Sequence, residues 1–190
     1  SSLFLTTPIT FEGRLLQVEQ RFSPPPVNSL NTFSTPEPPI GAIDPTTTIT
    51  PDQAVELGAD PTMVATQDDP GLPLYNQARQ QFEAANYQAA LAGWEQFVQT
   101  YPDSDLVSNA HFWQGECHFQ LKDFPRAILA YQKVIENYPD SPKYPTALLK
   151  QGVSFITIGK DQAGRLVLND VINKFPNSPE AQKAVEFLRN

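Results

Sequence analysis

The residues of this sequence with the strongest potential for chemistry lie close together, between His111 and His118. Histidine, glutamate and cysteine are the side chains that hold metal ions or act as nucleophiles and bases, and Glu116 and Cys117 complete the set. On a helix the two histidines would be about 10 Å apart, and Cys117 would point about 100° away from His118. Gly115, which lies between the histidines, offers no ligand. The spacing favours packing histidines and a small buried cysteine over a catalytic or metal site.

No other pattern of catalysis is present in the sequence. It contains no glycine-rich phosphate loop, no GxSxG nucleophile elbow and no close carboxylate pair with a base. We therefore predict that the protein is not an enzyme and uses no catalytic residue, cofactor or metal. The alternative is a small metal-dependent enzyme centred on His111 and His118, which would need a distant residue to complete the site.

One four-residue motif occurs three times, at residues 101–104, 138–141 and 175–178, with 37 positions between successive copies. Each copy is an aromatic residue, proline, aspartate or asparagine, and serine. Small residues lie 24 and 12 positions before the motif proline, and large apolar residues lie 8 and 5 positions before it. These residues are Ala78, Ala90, Trp94 and Phe97, then Gly115, Ala127, Tyr131 and Val134, then Gly152, Gly164, Leu168 and Val171. Small residues let two helices approach closely, and large ones fill the space beside them.

This pattern resembles the tetratricopeptide repeat, with three residues added between repeats. It predicts an all-α fold: a right-handed superhelix of three helix-turn-helix repeats, at about 72–104, 105–141 and 142–178, closed by a capping helix at 178–190. The predicted helices are 72–85, 87–100, 105–121, 124–137, 142–158, 161–174 and 178–189. In each motif the proline should end one helix and the serine should cap the next.

The region before the repeats has a different composition. Residues 1–73 contain 12 of the 19 prolines, with 2 basic and 9 acidic residues, whereas residues 74–190 have 11 basic and 12 acidic residues. We divide the chain into a short amphipathic helix at 1–22, a proline- and threonine-rich acidic linker at 23–73 with a turn of helix at 50–58, and a repeat domain at 74–190. The helix carries an apolar stripe, which packs on the neighbouring domain or stays frayed, or else is the remnant of a coiled coil. The stripe consists of Phe11, Leu15, Val18 and Phe22.

The overall charge excludes one class of partner. The net charge is −8, and no basic stripe is present to neutralise phosphates, so we do not expect nucleic-acid binding. No apolar run is long enough to cross a bilayer, and residues 1–10 do not read as a signal peptide.

Two further segments, Phe112-Trp113-Gln114-Gly115-Glu116 and Lys122-Asp123-Phe124-Pro125-Arg126-Ala127, together with the repeated motif resemble the C-terminal domain of the CpoB (YbgF) family of the Tol-Pal system. The resemblance covers residues 74–190. It implies a periplasmic protein, made with a signal peptide that this sequence lacks, that binds TolA or a peptidoglycan synthase. It also implies a role in coordinating peptidoglycan synthesis with outer-membrane constriction during cell division. The family's N-terminal coiled coil trimerises, so self-association stays open. The alternative is a BamD-like scaffold for outer-membrane protein assembly, a family with more repeats.

The first helix of each repeat lines the inner face of such a superhelix, which is where a partner would bind. The predicted inner-face residues are Tyr75, Arg79, Phe82, Asn109, Phe112, Glu116, Phe119, Thr146, Leu149, Val153 and Ile156. This set is apolar with few charges, which suits a helical or extended apolar segment. The alternative for Phe82, Phe119 and Ile156 is a place in the core between repeats.

Two expectations follow for this inner face. Chaperone-binding repeat domains hold a C-terminal carboxylate with lysine, asparagine and arginine side chains. The corresponding positions here provide too few donors for that, so we reject such a ligand. Those positions hold Tyr75, Arg79, Trp113, Thr146 and Lys150. The second expectation is that Phe112→Ala and Tyr75→Ala weaken partner binding without unfolding the repeats.

Overall fold

The computed structural model describes residues 11–21 and 69–189, and within these ranges the regular secondary structure is entirely helical. The helices are α1 (Phe11–Arg21), α2 (Leu72–Glu83), α3 (Tyr87–Thr100), α4 (Val107–Gln120), α5 (Phe124–Asn137), α6 (Tyr144–Thr157), α7 (Asp161–Lys174) and α8 (Pro179–Arg189). The limits of α2 to α8 differ from the predicted ones by two residues or fewer. The predicted fold class, three helix pairs followed by one capping helix, is confirmed.

The repeated motif lies between the repeats. Helices α3, α5 and α7 each end just before the motif's aromatic residue, as predicted, because the proline that follows cannot continue the helix. The serines do not cap α4 and α6 as predicted, since Leu106 and Lys143 are the N-cap residues there, but in every copy the serine Oγ accepts a backbone N–H close to the start of the next helix. The pairs are Ser104 with Leu106 at 3.1 Å, Ser141 with Lys143 at 3.2 Å and Ser178 with Ala181 at 3.1 Å.

The helices pack in chain order. The pairs α2 with α3, α4 with α5 and α6 with α7 form the repeats, and α3 with α4 and α5 with α6 join one repeat to the next. Helix α8 packs on α7 and α6, where it covers the last repeat. Two apolar clusters hold this array together, one around Trp94 and Phe97 in the first repeat and one around Tyr131 and Phe155 in the others. Each repeat therefore depends on its neighbours for a complete core.

Helix α1 lies against the outer helix α5 of the second repeat. Of its predicted stripe, Val18 is buried, and Leu15 is partly buried and packs on the same cluster as α5. The described half of the stripe thus packs on the repeats within one chain. The side chain of Phe11, the whole of Phe22, the predicted turn at 50–58 and most of the predicted linker lie outside the described residues.

The second repeat shows why a small residue is needed where two helices cross. Gly115 on α4 faces the ring of Tyr131 on α5 so closely that a Cβ atom at residue 115 would overlap the ring. Tyr131 cannot move aside easily, because it is completely buried and its hydroxyl donates a hydrogen bond to Glu116. The distance between α4 and α5 is therefore set by this contact.

We expect Gly115→Ala to destabilise the protein by about 1–3 kcal/mol, although alanine is the better helix former, because the added methyl group overpacks the core. Urea unfolding followed by circular dichroism measures this change. In a Tyr131→Leu background the same Gly115→Ala substitution should cost less, because the ring that the added methyl group overlaps is gone. A free energy of unfolding for Gly115→Ala that equals or exceeds that of the wild type would contradict this account.

Candidate functional site

The predicted inner-face positions differ widely in exposure. Arg79 is exposed, and Phe82 and Ile156 are half-buried. The other eight are buried. Phe112 has no accessible surface, and Asn109, Glu116 and Leu149 each have 1% of their surface accessible. The buried positions are Tyr75, Asn109, Phe112, Glu116, Phe119, Thr146, Leu149 and Val153. A role of these eleven residues in binding a partner remains a prediction.

A buried ion pair joins the second and third repeats along this face. The Lys150 Nζ atom on α6 lies 3.0 Å from Glu116 Oε2 on α4, and both side chains are almost inaccessible to solvent. The Tyr131 hydroxyl donates to the other carboxylate oxygen of Glu116 at 2.5 Å, and the lysine ammonium lies 4.4 Å from the Phe119 ring centroid. A buried charge needs such partners to offset the loss of its hydration. The carboxylate and the ammonium are thus both used within the chain.

A second lysine covers the floor of the face beside this pair. Lys143 precedes α6 and is buried, with its Nζ atom 5.2 Å from the ring centroid of Phe112 and 5.7 Å from that of Trp113. Further along, Thr146 donates to Glu180 of the capping helix at 2.9 Å. We call this part of the inner face, formed by α4 and α6, the closed half, because its own side chains cover its floor.

The remaining part, which we call the open half, consists of Arg79 and Phe82 on α2 and Trp113 on α4. Arg79 is paired with Glu83 one turn later, at 3.0 Å, but both side chains are more than half exposed. Such a pair contributes little energy and leaves the guanidinium accessible. Phe82 and Trp113 are half-buried, with ring centroids 5.0 Å apart.

An aromatic cluster supports the open half from below. The Trp113 ring stacks on that of Trp94 at 5.7 Å, with an angle of 11° between the planes, and Phe82 also contacts Trp94 and Tyr87. Each of these rings has its position fixed by others. The cluster therefore holds Phe82 and Trp113 rigidly at the surface.

Tyr75 and Asn109 lie between the open half and the core. Burial raises the pKa of Tyr75 to about 12, and the nearby side chains of Trp113, Arg79 and Asn109 offset only part of this shift. Tyr75 is therefore a neutral phenol at physiological pH. The Oδ1 atom of Asn109 is buried and has no hydrogen-bond partner among the residues that the structure describes.

The geometry corrects two of the sequence-based expectations. Phe112 and Tyr75 are buried, so replacing either by alanine would open a cavity and destabilise the array by about 3–5 kcal/mol. The expectation that these substitutions weaken binding without unfolding the repeats is therefore not supported. The inner face is also less apolar than expected, because Lys143 and Lys150 lie on it. The predicted groove set omits Trp113 and the two lysines, although Trp113 and Lys150 were named among the clamp positions of the inner face. A sequence signal for the ion pair is that Lys150 is opposite in charge to Glu116 and lies on the facing helix of the next repeat.

The residues with potential for catalysis have packing roles. His111 is buried, its Nδ1 atom is 3.0 Å from Gln114 Oε1, and its ring contacts that of Tyr138. Burial lowers the pKa of both His111 and His118, and it raises the pKa of the Cys117 thiol, which keeps that thiol protonated and unreactive. Within residues 11–21 and 69–189, no three histidine, cysteine or acidic side chains lie close enough together to hold a metal ion.

Comparison with known proteins identifies the repeats. Tetratricopeptide-repeat profiles match residues 75–142 and 146–178. Among solved structures, the first such repeat domain of Spaghetti (RPAP3), bound to the HSP90 peptide SRMEEVD, is similar with a TM-score of 0.52. It is 17% identical, and the match covers 67% of this chain and 99% of that one. The similarity therefore concerns the fold. None of the curated proteins matches the sequence.

No helix in the described part of the chain is long and apolar enough to cross a membrane.

We expect removal of one partner from the buried ion pair to be strongly destabilising. Lys150→Met leaves the Glu116 carboxylate buried without its counter-ion and should cost about 3–5 kcal/mol. The double variant Glu116→Gln/Lys150→Met removes both charges and should recover most of that loss. Urea unfolding of the wild type, both single variants and the double variant gives the coupling energy. Additive effects of the two substitutions would show that the pair is not coupled.

The lowered histidine pKa values predict a dependence of stability on pH. Unfolded histidine titrates near pH 6.5, whereas His111 and His118 in the folded protein resist protonation. Below pH 6.5 the unfolded state therefore binds more protons, and the free energy of unfolding falls with falling pH until the folded-state histidines also protonate. We expect the double variant His111→Gln/His118→Gln to lose less stability than the wild type between pH 7.5 and pH 5.5. Equal losses in urea unfolding would contradict this assignment.

Proposed function

Since residues 75–142 and 146–178 of this chain consist of tetratricopeptide repeats, we propose that it is a non-enzymatic scaffold that binds a segment of a partner protein along the inner face of the repeats. The observation that carries the proposal is the open half. Phe82 and Trp113 present rigid aromatic surface, and Arg79 adds an accessible charge beside them. Rigid aromatic and arginine side chains are the residues that contribute most to binding energy at protein interfaces.

The chemistry of the inner face indicates what kind of segment fits. A carboxylate tail needs several free donors, but the Lys150 ammonium is buried and already paired with Glu116. Tyr75 is a neutral phenol turned into the core, so Arg79 is left as the accessible cation among the clamp positions. An amphipathic helix or an extended apolar segment with one acidic residue near Arg79 matches this surface better. The similarity to the repeat domain of RPAP3, which is bound to an HSP90 peptide, concerns the fold and does not indicate the ligand of this chain.

As a finer proposal, the protein is a periplasmic scaffold of the CpoB kind, with TolA or a peptidoglycan synthase as partner and a role in cell division. The support is the three-repeat length, the spacing of 37 residues and the two segments at 112–116 and 122–127. Self-association through the N-terminal region belongs to the same proposal. A BamD-like role in outer-membrane protein assembly is the alternative.

Purified TolA is the probe that tests this proposal, with binding to the full chain measured by isothermal titration calorimetry. We expect Arg79→Glu to weaken binding about tenfold, because it reverses the accessible charge of the open half. Arg126→Glu is the matched control, since Arg126 is an equally exposed arginine in an ion pair on its own helix, but on α5. It should bind TolA like the wild type.

Two results would overturn parts of the proposal. Equal losses from Arg79→Glu and Arg126→Glu would show that TolA does not use the inner face. No binding of TolA, together with binding of purified barrel-assembly components, would replace the CpoB-like role by the BamD-like one.

A further inference from the structure

Helix α1 occupies a defined seat on the outer surface of the array, on the helices opposite to the inner face. Among the α1 side chains that the structure describes, Leu15 and Val18 pack on the cluster that contains α5, and Val18 is only 7% exposed. These two residues are three positions apart, so they form one short apolar ridge along the helix. Leu16, which lies off this ridge, is 52% exposed.

Two ion pairs flank the ridge and determine the position of α1 on the seat. Arg21 Nη1 lies 2.6 Å from Glu136 Oε1 near the end of α5, and Glu19 Oε1 lies 3.1 Å from the Nζ atom of Lys160, which precedes α7. The seat therefore extends over two repeats and recognises an apolar pair followed by an acidic and then a basic residue. We define the seat as Leu129, Gln132, Lys133, Glu136 and Lys160.

The seat is larger than α1 fills. A cleft of about 510 Å³ remains between α1 and α5, next to Val18. Gln17 and Gln20 line it on the α1 side, and Leu129 with Gln132 and Lys133 on the α5 side. Both glutamines are exposed, so they do not close the cleft with apolar contacts. A helix with an apolar side chain in place of Gln17 would bury more apolar surface there, next to Val18 and Leu129.

Among the described side chains, α1 is held on the seat by its apolar ridge and by the two ion pairs. These contacts help to offset the entropy of ordering the helix, and Arg21, Glu136 and Lys160 in the two ion pairs are about half exposed. Exposed ion pairs contribute little to this balance. Docking within the chain is helped by covalent connection, which provides an effective concentration of about millimolar order. A helix from another protein could therefore displace α1 at moderate affinity.

We propose that this seat is a second protein-binding site, separate from the inner face, and that α1 is its internal competitor. The occupant is an amphipathic helix of a partner protein. This helix has the same apolar ridge as α1, an acidic residue one position after the ridge and a basic residue three positions after it. It has a leucine at the position that corresponds to Gln17. Release of α1 opens the site, and docking of α1 closes it. The inner face is not involved, so this site is independent of the function proposed above.

The test uses the full chain and a fluorescent peptide of residues 9–23 as the probe. In the Val18→Asp chain α1 should leave the seat, and the peptide should bind at least tenfold more tightly than to the wild type. Leu16→Asp is the matched control, because Leu16 lies on the same helix but is exposed, and its affinity should equal that of the wild type. Arg21→Glu provides a second way to release α1 with a surface substitution. Circular dichroism and the melting temperature show that the repeats stay folded.

Two changes to the probe then identify the seat. The peptide with Gln17→Leu should bind about tenfold more tightly than the unchanged peptide. Adding Glu136→Arg to the Val18→Asp chain should weaken its binding of the unchanged peptide. The peptide with Arg21→Glu should bind this double-variant chain with the original affinity. The proposal is overturned if the folded Val18→Asp and Arg21→Glu chains both fail to bind the peptide. It is equally overturned if Leu16→Asp opens the site as well as Val18→Asp does, or if the charge exchange has no effect.

Discussion

The close crossing of the two helices in each repeat is the constraint on which the rest of the structure depends. In the second repeat Gly115 lets Tyr131 pack directly against the backbone of α4, and in the third Gly152 receives Leu168 in the same way. These contacts recur 37 residues apart, so consecutive pairs adopt nearly the same geometry. A repeated pair geometry makes a superhelix, and the superhelix puts α2, α4 and α6 on one side. The inner face is therefore a consequence of the core.

The same crossing connects the core to the charges of the inner face. Tyr131 packs its ring on Gly115 and donates its hydroxyl to Glu116, the next residue, which in turn holds Lys150 of the following repeat. The ion pair thus bridges two repeats and is positioned by a core residue. The ion pair lies on the floor of the inner face, so the closed half is part of the fold, whereas the open half stays accessible. The accessible aromatic rings of the open half lie toward the end of the array opposite to the capping helix.

Much of this fold could be predicted from the sequence because repeats encode it several times. Proline, serine and the small and large residues hold the same positions in three copies, and each has a local physical reason. The candidate site was harder to predict, since exposure depends on neighbouring helices. Phe112 and Phe82 both belong to the predicted inner-face set, yet Phe112 is covered by Lys143 whereas Phe82 stays half-exposed. The docking of α1 was predicted as one of several alternatives, because a stripe of four apolar residues does not specify its partner surface.

The two faces of the array differ in how they could respond to a partner. The inner face has a rigid support, since the rings of Trp113 and Trp94 are stacked and held by further aromatic contacts, so a partner segment meets a preformed surface and little ordering is required of the protein. The outer seat is occupied, and any partner helix there must first displace α1. Affinity at that seat is reduced by the fraction of chains in which α1 is docked. In the proposal made above, a substitution in α1 changes binding on the outer surface without altering any residue of the inner face.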